Sequence, residues 1–331
     1  MALRWMPWTA TCMPNLDHLV GCYQIESCYA NFRKGYSHFI HQTPVWKLPG
    51  KALGVDCAEV WLKLEHMQTG GSFKARGMLN RLLSNPIPES GVIVASGGNA
   101  GIATAAAARE LGVRCEVFVP EVSSPAKRAR LAALGAEVVV TGSAYSDALH
   151  ACLARQQQTG ALLTHAYDQP EVVAGAGTLA LEIERQAGVP DAVLVSVGGG
   201  GLIAGIASWF ERRTRVVALE PVLAPTLFRA REAGRPVDVA VSGIAADSLG
   251  AKRIGDLAWA ATQAHVSDAL LLSDESIRGA QLWLWKELKL AVEPAAALPL
   301  AALHSGAYLP RSAEKVCLII CGANLDPATL V

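Results

Sequence analysis

The 331-residue sequence has no excess of either charge, no Cys-x-x-Cys pair, no long unbroken apolar run and no internal repeat. Each absence removes a class of protein. Lysine plus arginine equals aspartate plus glutamate, 29 each, and no basic stripe is present, which argues against nucleic acid or an anionic membrane as a partner. The longest apolar-looking region, 290–309, is broken by Glu293, Pro294, Pro299 and His304 and cannot span a bilayer. The eight cysteines are scattered, and several lie inside apolar runs, such as Cys115, Cys317 and Cys321. Reduced thiols in a cytoplasmic protein fit this better than a disulfide framework. Residues 1–15 have neither the apolar core nor the cleavage site of a secretory signal, and a poorly ordered lead-in is expected there. No period of 20–50 residues recurs, so a repeat architecture is excluded.

What is present is a chain 51% hydrophobic and long enough to bury a large core in one or two domains. Short β-rich runs are expected at 61–64, 92–95, 115–119, 137–140, 192–197, 215–219 and 316–320. Helical patterns are expected at 75–83, 102–111, 125–134, 145–158, 171–187, 202–213 and 274–288. The strand runs are continuously apolar, as in parallel sheets covered on both faces, and the alternation predicts a doubly wound α/β fold. Turn-rich seams at 84–91 and 164–170 bracket a block of about three β-α units. The expected division is a smaller domain, 77–167, inserted in a larger one, 1–76 and 168–331.

Doubly wound folds bind ligands at the carboxyl ends of strands, so chemistry is sought in the loops there. Residues 64–77 place Lys74 directly after a Gly70-Gly71-Ser72 turn, with Ser72 expected to cap a helix that begins near Lys74. A lysine in a first helical turn is held near free N–H groups that favour its neutral form, which suits a Schiff-base lysine; a solvated surface charge is the ordinary alternative. Gly198, Gly199, Gly200 and Gly201 stand between a strand and the helix beginning at Leu202, a phosphate cradle or else a turn that needs small residues. Gly199, Gly201 and Ala204 also satisfy G-x-G-x-x-A, with Glu220 19 residues beyond Gly201, so an NAD-dependent oxidoreductase stays open at this point. Ser96, Asn99 and the N–H groups opening the next helix form a donor-rich loop suited to a carboxylate, or an ordinary capped turn. Cys321 ends the last strand, where it could face a ring or serve as a buried small hydrophobe. Glu220 and the loops 220–224 and 247–251 could offer oxygen ligands to a hard cation.

Taken in order, these loops resemble those of the serine/threonine dehydratases, pyridoxal-phosphate enzymes of the tryptophan-synthase-β fold type. The likeness runs from Thr43-Pro44 to Asn324. Ser72-Phe73-Lys74-Ala75-Arg76-Gly77 resembles the family's Schiff-base motif, 96–101 its substrate-carboxylate loop and 198–202 its phosphate loop; Val292-Glu293-Pro294 and Cys321-Gly322 match two further signatures. Cys321 and Asn99-Ala100-Gly101 are most similar to the compact serine dehydratases, and with ten residues after Cys321 no regulatory domain is expected. Thr69-Gly70 departs from the usual Pro-Thr or Pro-Ser pair and leaves substrate preference open.

The resemblance implies pyridoxal 5'-phosphate bound by Phe73, Lys74, Asn99, Gly198, Gly199, Gly200, Gly201, Leu202 and Cys321, with Lys74 catalytic. It implies substrate contacts from Ser72, Ser96, Gly97, Asn99 and Ala100. Glu220 with the carbonyls of Ala224, Leu249 and Ala251 is expected to hold a monovalent cation, potassium first. The implied reaction is β-elimination of a 3-hydroxy amino acid, L-serine or L-threonine, to a 2-oxo acid and ammonia, in a homodimer. A racemase or β-replacement enzyme is the near alternative. Racemisation needs a proton carrier opposite Lys74; in the related racemases a serine occupies the position of Gly97, which has no side chain to offer.

Overall fold

A computed structural model describes residues 20–330; the lead-in expected at 1–15 lies outside them. Helix α1 (Cys22–Gly35) precedes β1 (Val45–Pro49) and β2 (Glu59–Lys63), after which Lys74 opens α2 (Lys74–Leu83). There follow β3 (Val92–Ala95), α3 (Asn99–Glu110), β4 (Cys115–Val119), α4 (Pro125–Ala133), β5 (Glu137–Val140), α5 (Tyr145–Thr159) and the two-residue β6 (Leu162–Leu163). The chain returns through α6 (Pro170–Ala187), β7 (Ala192–Ser196), α7 (Gly201–Phe210), β8 (Arg215–Pro221), α8 (Thr226–Ala233) and α9 (Asp256–His265). Strand β9 (Val266–Leu272), α10 (Asp274–Leu288), α11 (Pro294–His304) and β10 (Lys315–Ile319) complete it.

The strands sort into two sheets. Six of them lie in the order β1-β2-β10-β7-β8-β9, and β3 to β6 form a separate sheet ordered β5-β4-β3-β6. Every described pairing is parallel except β1 with β2. Strands β3, β4 and β7 are buried along their whole length, as parallel strands covered on both faces must be. This is the doubly wound α/β architecture expected from the alternation.

The departures have local causes. Strand β1, Val-Trp-Lys-Leu-Pro, is interrupted by Lys47 and ends in a proline at a sheet edge, so no apolar run announces it. Strand β9 follows α9 with no intervening loop and holds Ser267 and Asp268, which mask its pattern. Strand β5 pairs but is half-exposed at the edge of its sheet, not buried on both faces. The expected cap at Ser72 is also absent. Phe73 is the N-cap residue of α2 and supplies no side-chain bond, while Ser72 is extended and bridged to Gly322. The chain leaving β10 has claimed that backbone: Phe73 N donates to the Cys321 carbonyl at 3.1 Å, and Ala323 N to the Gly71 carbonyl at 2.9 Å. Gly71, at φ +77°, permits the approach, since a Cβ there would fall 2.6 Å from Asn324 Oδ1.

Helix α2 is fixed by buried charge. Arg76 donates to Glu65 through Nε and Nη2, both at 2.8 Å, and to Glu182 on α6 through Nη1 at 2.9 Å and Nη2 at 2.8 Å. Lys63 of β2 donates to Glu182 at 2.8 Å, and all four side chains are fully buried. Burial works against the guanidinium's charge, but Glu182 and Glu65 outweigh it and raise its pKa above the ordinary value. Two cations meet two carboxylates, so the cluster is neutral as a whole and intolerant of losing one member. Helix α2 also presses directly on α6: a Cβ at Gly175 would lie 2.4 Å from the Arg76 carbonyl. Arg76→Ala should lower unfolding stability by about 3–5 kcal/mol, because it leaves buried Glu65 without its guanidinium and Glu182 with Lys63 alone. Denaturant unfolding checks this, and a loss below about 1 kcal/mol, the scale of an exposed pair, would contradict it.

Candidate active site

One cavity lies between the carboxyl ends of the six-stranded sheet and the opening of α3. Its lining includes Phe73, Lys74, Asn99, Gly198, Gly199, Gly200, Gly201, Leu202, Leu249, Glu293 and Cys321. Every residue expected to hold the cofactor is therefore at one place. The expected substrate residues are less uniformly placed, since Ser72, Ser96, Gly97 and Ala100 do not line it.

Lys74 is half-buried, and its Nζ donates to the Ala166 carbonyl at 2.5 Å. Burial lowers its pKa to about 8, against opposing pulls from Cys321 and Glu293. An amine with that value holds a far larger neutral fraction near physiological pH than an ordinary lysine, and the neutral form is the one a nucleophile or base requires. Cys321, buried at the end of β10, has its thiol pushed well above its ordinary value by burial and by Glu293. It is neutral.

The glycine row is both turn and cradle. Tyr167 packs on it: a Cβ at Gly199 would lie 2.3 Å from the Tyr167 ring, and one at Gly201 2.7 Å from the Tyr167 carbonyl. Gly200, at φ +91°, is the N-cap residue of α7. Small residues are thus required for packing, as the structural alternative held. Yet among the described residues no acceptor meets the N–H groups of Gly198, Gly199 or Gly200. These unspent donors lie at the positive end of α7, which is what a phosphate needs.

The carboxylate loop is engaged with its own neighbours. Ser96 Oγ accepts from Gly98 N at 3.3 Å. Asn99 Nδ2 donates to both oxygens of Glu293, at 2.9 and 3.1 Å, and Asn99 Oδ1 accepts from Asn324 Nδ2 at 2.5 Å. Glu293 belongs to the Val292-Glu293-Pro294 signature, for which the resemblance implies no role. Burial raises its pKa to about 7, the Asn99 bond opposing. Its signal in the sequence was an acid interrupting an apolar run just before Pro294. Tyr167, whose ring covers the glycines, left no such signal.

Glu220 lies outside this cavity and is fully buried. It accepts from Leu227 N and Phe228 N at 2.7 Å each, and from Thr226 Oγ1 at 3.0 Å. Glu220 turns its carboxylate to the first turn of α8 and lies outside the cavity, so it does not face a ribose there, which argues against the dinucleotide reading of Gly199, Gly201 and Ala204. Thr226 Oγ1 also reaches the Gly198 carbonyl at 2.6 Å, so Glu220 supports the glycine loop from behind. Among the described residues no group of three or more His, Cys, Asp or Glu side chains could hold a metal ion.

A half-buried lysine beside a row of unspent helix-end N–H groups and a neutral thiol fits pyridoxal phosphate. The family model for pyridoxal-phosphate dependent enzymes matches residues 36–322. The chain belongs to this family. It is 37% identical over 278 residues to an L-threonine ammonia-lyase of Geobacter sulfurreducens, covering 82% of this chain and 68% of that protein. It is 33% identical to a phenylserine dehydratase of Ralstonia pickettii, over 92% of this chain and 94% of the other. The solved structure of maize serine racemase superposes with a TM-score of 0.86 at 28% identity, covering 94% of this chain and 95% of that one. The fold is that of the tryptophan-synthase-β-like pyridoxal-phosphate enzymes, and the serine/threonine dehydratase family is the group with which the chain agrees. No described helix is long and apolar enough to cross a membrane.

Capture of pyridoxal phosphate by cofactor-free protein should therefore rise with pH about a midpoint near 8, not the ordinary lysine value of 10.5. The sign follows from burial, which disfavours the ammonium form. A capture rate that climbs only toward pH 10.5 would contradict the stated environment of Lys74.

Proposed function

We propose that this enzyme eliminates water and ammonia from a small L-3-hydroxy amino acid such as L-serine or L-threonine, releasing a 2-oxo acid. The observation that carries the reading is the joint placement of Lys74, its pKa lowered by burial, and the unspent N–H row of Gly198–Gly200 in one cavity. Lys74 would hold the cofactor, the glycines its phosphate, Phe73 its ring face and Cys321 its ring nitrogen. When bound, pyridoxal phosphate supplies an electron sink beside the substrate's α-carbon. Lys74 takes the α-proton on its free amine. The neutral Cys321 thiol is a weak donor and leaves its partner nitrogen uncharged, which favours expelling a β-hydroxyl over storing charge. On this reading residues 77–167, with the four-stranded sheet, form the smaller domain, and the protein is a homodimer. Purified enzyme should release 2-oxo acid from serine or threonine, and Lys74→Ala should abolish it; no product from any 3-hydroxy amino acid would overturn the reading.

Racemisation is the second reading, and one contact favours it. A Cβ at Gly97 would stand 3.2 Å from Ser123 Oγ, so a hydroxyl does lie in the direction of the missing side chain. Ser123 belongs to the β4–α4 loop and does not line the Lys74 cavity. We expect elimination from the L-enantiomer with negligible D-serine. Chiral chromatography decides this: D-serine accumulating as fast as pyruvate, and abolished in Ser123→Ala, would establish the racemase.

The reading includes a monovalent cation near Glu220, with carbonyls of Ala224, Leu249 and Ala251 as ligands. Burial raises the Glu220 pKa to about 7 against the bonds from Leu227, Phe228 and Thr226, so its ionised form gains from a countercharge. Activity should be higher in potassium or ammonium than in sodium, with the difference reduced in Glu220→Ala. Equal rates in all three ions would remove Glu220 from the cation site.

A further inference from the structure

Arg130, on α4, reaches across the cleft beside the carboxylate loop. Its Nη1 donates to Asn324 Oδ1 at 2.6 Å and its Nη2 to the Gly70 carbonyl at 3.3 Å. Both acceptors are neutral, and among the described residues no carboxylate pairs with it. Lys127, one turn earlier on the same helix, is by contrast paired with Asp247. Lys63 and Arg76 are balanced by Glu65 and Glu182. Arg130, exposed and outside the cavity lining, is therefore a cation without a carboxylate partner, joined to that lining through Asn324 and Asn99.

Its position relates it to substrate. Asn324, its partner, donates to Asn99 Oδ1 at 2.5 Å and to the Gly70 carbonyl at 2.8 Å. The guanidinium stands two hydrogen bonds from Asn99, which lines the Lys74 cavity. A guanidinium carries five N–H donors, and these contacts spend two. The remainder can present a fork to a carboxylate, the geometry arginine matches best.

We propose that Arg130 selects a substrate bearing a second carboxylate, a 3-hydroxy amino dicarboxylic acid such as 3-hydroxyaspartate. This rests on the elimination reading above and names its substrate class. The α-proton goes to Lys74, the β C–O bond breaks and the departing hydroxide takes up one proton, so that the α-hydrogen and the hydroxyl leave overall as one water. The resulting enamine takes up water and releases ammonia, giving a 2-oxo dicarboxylic acid with no net oxidation or reduction.

The test separates binding from turnover. L-Aspartate and L-alanine both lack the β-hydroxyl, so calorimetry of each against the holoenzyme reports side-chain recognition alone. Wild-type protein should favour aspartate by roughly tenfold or more at low salt, the worth of a charge-assisted hydrogen bond, and less as salt is raised. The aspartate-to-alanine ratio should fall about as much in Arg130→Ala and be partly kept in Arg130→Lys. The ratio of kcat/KM for 3-hydroxyaspartate over serine should move the same way. No aspartate preference in the wild type, or an unchanged ratio in Arg130→Ala, overturns the proposal while leaving serine elimination intact. An aspartate preference that depends on Arg130, with no 2-oxo acid from any substrate, supports the selection and overturns only the elimination reading.

Discussion

The two-sided grip of Glu65 and Glu182 on Arg76 is the constraint on which the site depends. Arg76 is two residues from Lys74 on the same helix, so its four charge-assisted bonds set where the lysine amine can reach. Glu65 follows β2 and Glu182 lies on α6, so the grip joins the six-stranded sheet to the helix covering it. The opposite side of Lys74 is held by backbone, where the chain leaving β10 bonds to residues 71 and 73. The lysine is thus positioned by buried bonds on both sides, and the turn between them needs Gly71 to let Asn324 approach.

Within the cavity, burial drives each titratable group toward its neutral form. It lowers the pKa of Lys74 to about 8, raises that of Glu293 to about 7 and raises that of Cys321 well above its ordinary value. The shifts have opposite directions and one cause, desolvation. Neither Lys74 nor Glu293 is held firmly in its charged form near neutral pH, so a bound ligand and the dipoles of the glycine row weigh heavily in the electrostatics. Beyond the cavity, Lys127 meets Asp247 and Arg130 meets neutral acceptors.

Much of this was legible in the sequence where a short stretch carries its own signal. Strands β3, β4 and β5 begin and end where their apolar runs do, because turn residues bound each run. The loops after β3, β7 and β10 were recognisable because glycine and asparagine cluster at strand ends, and they do converge on Lys74. What stayed hidden depends on contacts distant in sequence. Ser72 looked like a cap, but a strand end some 250 residues later took its backbone. Asn99 looked like a free donor, yet Glu293 and Asn324 had already engaged it, while Ser96 Oγ serves as an acceptor for Gly98 N. Glu220 satisfied a spacing rule for ribose, and only its bonds to Leu227 and Phe228 exposed the coincidence.

The central claim is that Lys74 carries the cofactor while the glycine row holds its phosphate. Borohydride reduction of the yellow holoenzyme, followed by digestion and mass mapping, tests it most directly, because the label marks the bonded nitrogen. The account predicts a single pyridoxyl label on the peptide containing Lys74, and none in Lys74→Ala. A label on any other lysine, or a colourless protein that takes up no pyridoxal phosphate, would contradict it.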